Sequence, residues 1–116
     1  MLPAAHRLRR SDAIATVVRT GIHLTTPYVR IHALPTPDNV VSRVACVVGQ
    51  KVHSSSVKRH HYQRWIRECA QQLLPKLKSA YDIVLVARTE IREVSTLAQL
   101  QESLKDIVNQ LDKQSV

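Results

Sequence analysis

The chain has 116 residues, 44% of them hydrophobic and 22% charged, which suits one domain with a single core and excludes a disordered polar chain. Seventeen Lys and Arg against nine Asp and Glu give a net charge of +8. The excess is uneven, because residues 1–80 hold thirteen cations and three anions while residues 81–116 hold four cations and six anions, so the first two thirds of the chain point to a polyanionic partner.

In chain order, "RRSDAIATVVRTG" offers Ser11 or Asp12 as an N-cap, Ile14, Val17 and Val18 at helical spacing, and Gly21 as a C-terminal stop; this predicts a short helix. "TPYVRIHALP" alternates Tyr28, Arg30 and His32 against Val29, Ile31 and Ala33, the period of a half-buried strand, which Pro35 ends. "TPDN" reads as a turn, and "VVSRVACVVG" as a second strand, expected to pair with the first in an antiparallel hairpin. After Gly49, "QKVHSSS" leads through a serine-rich cap into a helix that should run to about Leu74, since Pro75 cannot continue it.

"YDIVLVAR" has no polar alternation, the mark of an interior strand covered on both faces. "VSTLAQLQESLKDIVNQLDK" carries a capping box, Thr96 with Gln99, and an apolar stripe of Leu97, Leu100, Leu104, Ile107, Val108 and Leu111, which predicts one core-covering helix. The order is αββαβα, with room for a short extra strand near Val52, and the expected architecture is a single-domain α/β sandwich over residues 1–116.

The purely apolar runs, of which none is longer than Ile83 to Ala87, are far short of the roughly 20 residues that a spanning helix needs. "MLPAAHRLRR" has no apolar stretch of the secretory kind. A cytoplasmic protein without membrane contact is therefore expected.

The middle helix carries the strongest signal. Over "SSSVKRHHYQRWIRE", at about 100° per residue, Tyr62, Trp65, Ile66, Cys69 and Leu73 share one arc, and His60, Arg64, Arg67 and Gln71 line the opposite side. One face is for packing and the other is cationic, which suits a surface that holds phosphates without reading sequence. With no Phe, one Trp and three Tyr, and with Trp65 expected to face inward, base stacking is not expected to dominate. Glu68, among arginines, reads as a helix-surface ion-pair partner.

Other chemistries lack their residues. Gly21 and Gly49 are the only glycines, so neither GxGxxG nor GxxxxGK can be built. Cys46 and Cys69 read as packed thiols, no CxxC or HxxxH spacing exists for a metal, and no nucleophile, base and orienting acid cluster along the chain.

These residues resemble the protein subunit of bacterial ribonuclease P. That family carries a motif of the form RNRxKRxxRE on its second helix, after an apolar strand and a KK-type pair. In "VACVVGQKVHSSSVKRHHYQRWIRE", Arg59, Arg64, Arg67 and Glu68 match position by position. His60, His61 and Gln63 replace the motif's Asn, second Arg and Lys, and Gln50 replaces the first lysine of the pair that ends in Lys51. "MLPAAHRLRRSDAIATVVRTG" is similar to the family's start, with Ile14 and Val18 where phenylalanines are common, and His32 stands where a cleft aromatic is common. The resemblance covers nearly the whole chain.

The resemblance implies an α/β sandwich with a left-handed βαβ crossover. It implies that catalysis belongs to the RNA subunit with its Mg²⁺ ions, which releases the 5′ leader of precursor tRNA, and that the protein chain binds no cofactor of its own and is monomeric apart from RNA. Lys51, Lys58, Arg59, His60, His61, Arg64 and Arg67 would then bind the catalytic RNA. Arg9, Arg10, Ile14, Val18, Tyr28, Arg30 and His32 would line the leader cleft. The alternative is an RNA-binding or RNA-assembly protein of the same fold without a ribonuclease P role.

Overall fold

One four-stranded sheet organises the molecule, in the order β1-β2-β4-β3, with β1 at Ile22–Thr25, β2 at Val29–Pro35, β3 at Arg43–Val47 and β4 at Tyr81–Ala87. The computed structural model describes residues 8, 11–36, 42–77 and 80–114. Helices α1 (Ser11–Thr20), α2 (Ser56–Leu73), α3 (Leu97–Leu104) and α4 (Ile107–Gln114) complete it, with short 3₁₀ turns at Leu74–Lys76 and Thr89–Glu93.

The central place of β4 follows from its composition. Tyr81 to Leu85 are all buried, and an element apolar on both faces gains most where both faces are covered. It pairs antiparallel with β2 and parallel with β3. The expected hairpin between β2 and β3 is therefore absent, because β4 lies between them; two strands with one polar face each take the flanks of the one that has none. The extra strand is also elsewhere than expected. It is β1, antiparallel to β2, whereas Val52 is a buried turn residue whose N–H bonds the Gly49 carbonyl at 3.1 Å.

Helices cover both sheet faces. On one side Tyr62, Ile66, Cys69 and Ala70 of α2 and Leu100, Leu104, Ile107 and Leu111 of α3 and α4 pack on Val29, Ile31, Ala33, Val44, Ile83 and Leu85. On the other side Val17 of α1 joins Leu8, Ala45 and Val84. The buried Tyr81 hydroxyl donates to the Leu111 carbonyl at 2.9 Å and ties the central strand to α4.

Local signals were realised with two differences. Ser55 caps α2, its hydroxyl accepting from the Lys58 N–H at 3.4 Å, and Pro75 opens the 3₁₀ turn that ends the helix. Thr96 and Gln99 form the capping box of α3. The expected single C-terminal helix is two, because the end of α3 tightens to a Lys105 N–H bond with the Glu102 carbonyl three residues back at 3.5 Å. Gly21 stops α1, but not by a left-handed cap, since no glycine has positive φ among the described residues. A Cβ there would lie 2.6 Å from the Val17 carbonyl oxygen and 2.7 Å from that of Ala33; glycine lets α1 end against β2.

Candidate nucleic-acid interface

Helix α2 follows the parallel strand β3 and returns the chain to β4, so its inner face is held by the sheet and its outer face is free to carry charge. Ile66 is fully buried and Tyr62, Cys69 and Ala70 are nearly so. His60, Arg64 and Arg67 are exposed on the outer side, Lys58 is exposed in the first turn of the helix, and Lys51 is exposed in the turn before it. Five of the seven residues assigned to the RNA-facing group are thus exposed, and three of them, His60, Arg64 and Arg67, share the outer face of the helix.

The other two are used differently. Arg59 is half-buried, and its Nη1 donates to the His53 and Ser54 carbonyls at 2.9 Å each. It therefore shapes the loop that carries the chain into α2. His61 is half-buried with its ring 4.5 Å from that of Trp65 and 5.9 Å from that of Tyr62. Trp65 packs against the main core as expected, yet it is only partly buried and borders a groove at the surface. Glu68, read as an ion-pair partner, makes no salt bridge among the described residues.

A second concave surface, of about 660 Å³, lies where β3 and β4 end and β2 begins, lined among others by Arg30, Gln50, Lys51, Val86, Arg88 and Glu90. It brings Arg30 of the cleft group beside Lys51 of the helix group, a juxtaposition that only the parallel β3–β4 pairing creates. Arg88 was missed by the sequence reading, although a cation directly after an apolar strand was the available signal. Its Nη1 donates to the Thr26 carbonyl at 2.9 Å and its Nε lies 3.3 Å from a Glu90 carboxylate oxygen, which fixes it at the rim.

The remaining cleft residues divide. Ile14 and Val18 pack beside the smaller cluster under α1, with Leu34 and Val86. Tyr28, grouped with Arg30 and His32 by alternation, packs instead against the larger cluster, because it precedes β2 and is not held to the strand's alternation. His32 meets His23 across the β1–β2 pair, ring centroids 4.5 Å apart and nearly perpendicular. Burial first, then the His23 and Arg30 charges, lower the pKa of His32, and its Nδ1 is buried without a hydrogen-bond partner. His23 was not singled out because β1 was not recognised. Arg9 and Arg10 lie outside the described residues.

Burial pushes the Cys46 thiol up to about 12 and the Cys69 thiol up to about 11, so neither is a nucleophile near neutral pH. Among the described residues no three His, Cys, Asp or Glu are grouped to hold a metal ion, and no helix is long and apolar enough to cross a membrane.

Fold and charge together define the class, a small α/β protein with a cationic helix face and a basic concave surface at the strand ends. A family model described as Ribonuclease P matches residues 2–112, and the chain belongs to that family. It is 32% identical over 94 residues to the ribonuclease P protein component of a Synechococcus strain, covering 78% of this chain and 71% of that one. The component from Mycolicibacterium paratuberculosis is 32% identical over 106 residues, 88% of each chain. In fold, the chain is similar to the RNase P protein of Staphylococcus aureus, with a TM-score of 0.79 at 21% identity over 93% of this chain and 95% of that one. The Thermotoga maritima protein gives 0.77 at 22% identity over 90% and 96%.

Proposed function

We infer that this chain serves as the protein subunit of ribonuclease P, binding the catalytic RNA and the 5′ leader of precursor tRNA while the RNA subunit cleaves the phosphodiester. The single observation that carries the reading is the exposed row of His60, Arg64 and Arg67 on a helix whose opposite face is locked into the core. A rigid row of cations meets phosphates without an ordering cost at the moment of binding, and it positions a backbone regardless of base sequence. Arg30, Lys51 and Arg88 at the strand ends would hold the single-stranded leader, with the α1 side of the sheet continuing the track past His32.

Mg²⁺ belongs to the RNA subunit in this reading, where it stabilises charge on the reacting phosphate. The protein's share is to neutralise phosphates that would otherwise repel one another across the RNA–substrate junction, so that fewer ions are needed for assembly. The cytoplasm is the compartment in which such a monomeric, single-domain subunit would work. The names that the relatives carry favour this reading over an RNA-binding protein of the same fold without a ribonuclease P role.

The test is reconstitution with the ribonuclease P RNA of the same genome. The purified protein alone should leave precursor tRNA intact in Mg²⁺, and adding it to the RNA should give 5′ cleavage at a lower Mg²⁺ concentration than the RNA needs alone. Cleavage by the protein freed of RNA, or an Mg²⁺ requirement that the protein does not change, would overturn the reading.

A further inference from the structure

Helix α2 has a third side, where its buried face meets its cationic face and where a groove opens to the surface. His61, Arg64, Trp65 and Glu68 follow one another at i, i+3, i+4 and i+7, and with Leu97 from the first turn of α3 they enclose a groove of about 260 Å³. That is below the roughly 300–1,000 Å³ of pockets that take drug-sized ligands and suits one flat group. The floor is aromatic, Trp65 with His61 tilted against it at 4.5 Å. The rim carries opposite charges, Arg64 and Glu68, both exposed and without a salt bridge to each other.

We propose that this groove receives a single unpaired guanine of the RNA that docks on α2. The proposal rests on the reading of α2 as an RNA-binding helix. Each part of the groove answers one part of a nucleotide. An aromatic floor stacks a base of any kind. Arg64 stands where it can reach the adjoining phosphate. The Glu68 carboxylate accepts only, through two oxygens side by side, and among the four bases guanine alone offers two adjacent donors, N1–H and the N2 amino group, on its Watson–Crick edge. Adenine and cytosine each place an acceptor beside their amino group, and uracil places carbonyls on both sides of its single N–H. The net positive field of residues 1–80 favours a nucleic-acid occupant over an acidic-poor protein segment. Leu97 closes the groove from α3, so one base enters and a duplex does not.

The chain has one tryptophan, so its fluorescence reports on this groove. An octauridylate and two relatives with one internal guanosine or adenosine would be titrated into the full-length protein at constant salt. The guanosine octamer should quench Trp65 with a half-saturation about fivefold or more below the other two, the range expected of a good two-point contact. Glu68→Gln, at an exposed site, should bring the three octamers within about twofold without changing the urea midpoint. Equal half-saturation for all three, a preference that survives Glu68→Gln, or binding seen by anisotropy with no change in fluorescence would each overturn the groove proposal; the last would leave the site to a protein partner. Reconstituted cleavage of precursor tRNA, run in parallel, separates the two readings: cleavage that persists while the guanosine preference is missing sinks the groove alone, and a guanosine preference without cleavage sinks the ribonuclease P reading alone.

Discussion

Arg43 and Asp82 stand opposite each other in the parallel β3–β4 register and meet in a two-point ion pair, Nε to Oδ1 at 2.9 Å and Nη2 to Oδ2 at 2.6 Å. The Asp82 side chain is 8% exposed and that of Arg43 is 38% exposed, so the carboxylate is the buried partner. The bond to Asp82 raises the Arg43 pKa further above its already high value. This arginine is spent on the sheet and is not part of the RNA surface. Arg43→Ala should cost about 1–3 kcal/mol by leaving a buried acceptor without its partner, read as a lower urea midpoint. A midpoint unchanged from the parent would mean that water replaces the guanidinium.

The two faces of α2 should separate cleanly by substitution. Ile66 is fully buried, and Ile66→Ala should cost about 2–5 kcal/mol. Arg64→Ala should stay within about 0.5 kcal/mol of the parent, and Trp65→Ala should fall between, since its ring is only partly covered. Urea melts of the three variants check the order. Equal losses for Ile66 and Arg64 would mean that the helix is rotated from its described position.

His32 should make the free protein sensitive to acid. Its pKa is lowered in the fold by burial, by His23 on the paired strand and by Arg30 on its own. Above about pH 6.5, the ordinary histidine value, His32 is neutral in both the folded and the unfolded chain and contributes no pH dependence. Below it, the unfolded chain takes up the proton first, so stability falls with pH and levels off once the folded form is protonated as well. His32→Gln should flatten this fall below about pH 6.5. An identical slope in the variant would place the acid sensitivity elsewhere.

Much of this is legible in the sequence, and what is not has physical reasons. The apolar run of β4 and the two-faced pattern of α2 both reflect burial, which sequence periodicity reports directly. The pairing of β2 with β4 instead of β3 is a choice among partners, and no local pattern encodes it. β1 was missed because "IHLT" is four residues long and half-exposed, too short for alternation to stand out, and with it went His23 and the histidine pair. Gly21 was placed correctly for the wrong reason: its role is the close approach of α1 to the Ala33 carbonyl, a long-range contact. The candidate site divides in the same way. The cationic row was readable from spacing, whereas Arg88 beside Arg30 and Lys51 required the three-dimensional arrangement.

The central claim is that the exposed face of α2 holds RNA phosphates, and the salt dependence of binding tests it most directly. Affinity for the ribonuclease P RNA of the same genome would be measured from low to moderate salt for the parent and for Arg64→Ala, Arg67→Ala and Arg43→Ala. Each phosphate neutralised contributes a log–log slope of about −0.7 to −0.9, so Arg64→Ala and Arg67→Ala should each reduce the steepness by about one unit while Arg43→Ala leaves it unchanged. An affinity independent of salt, or slopes that Arg64 and Arg67 do not alter, would contradict the claim.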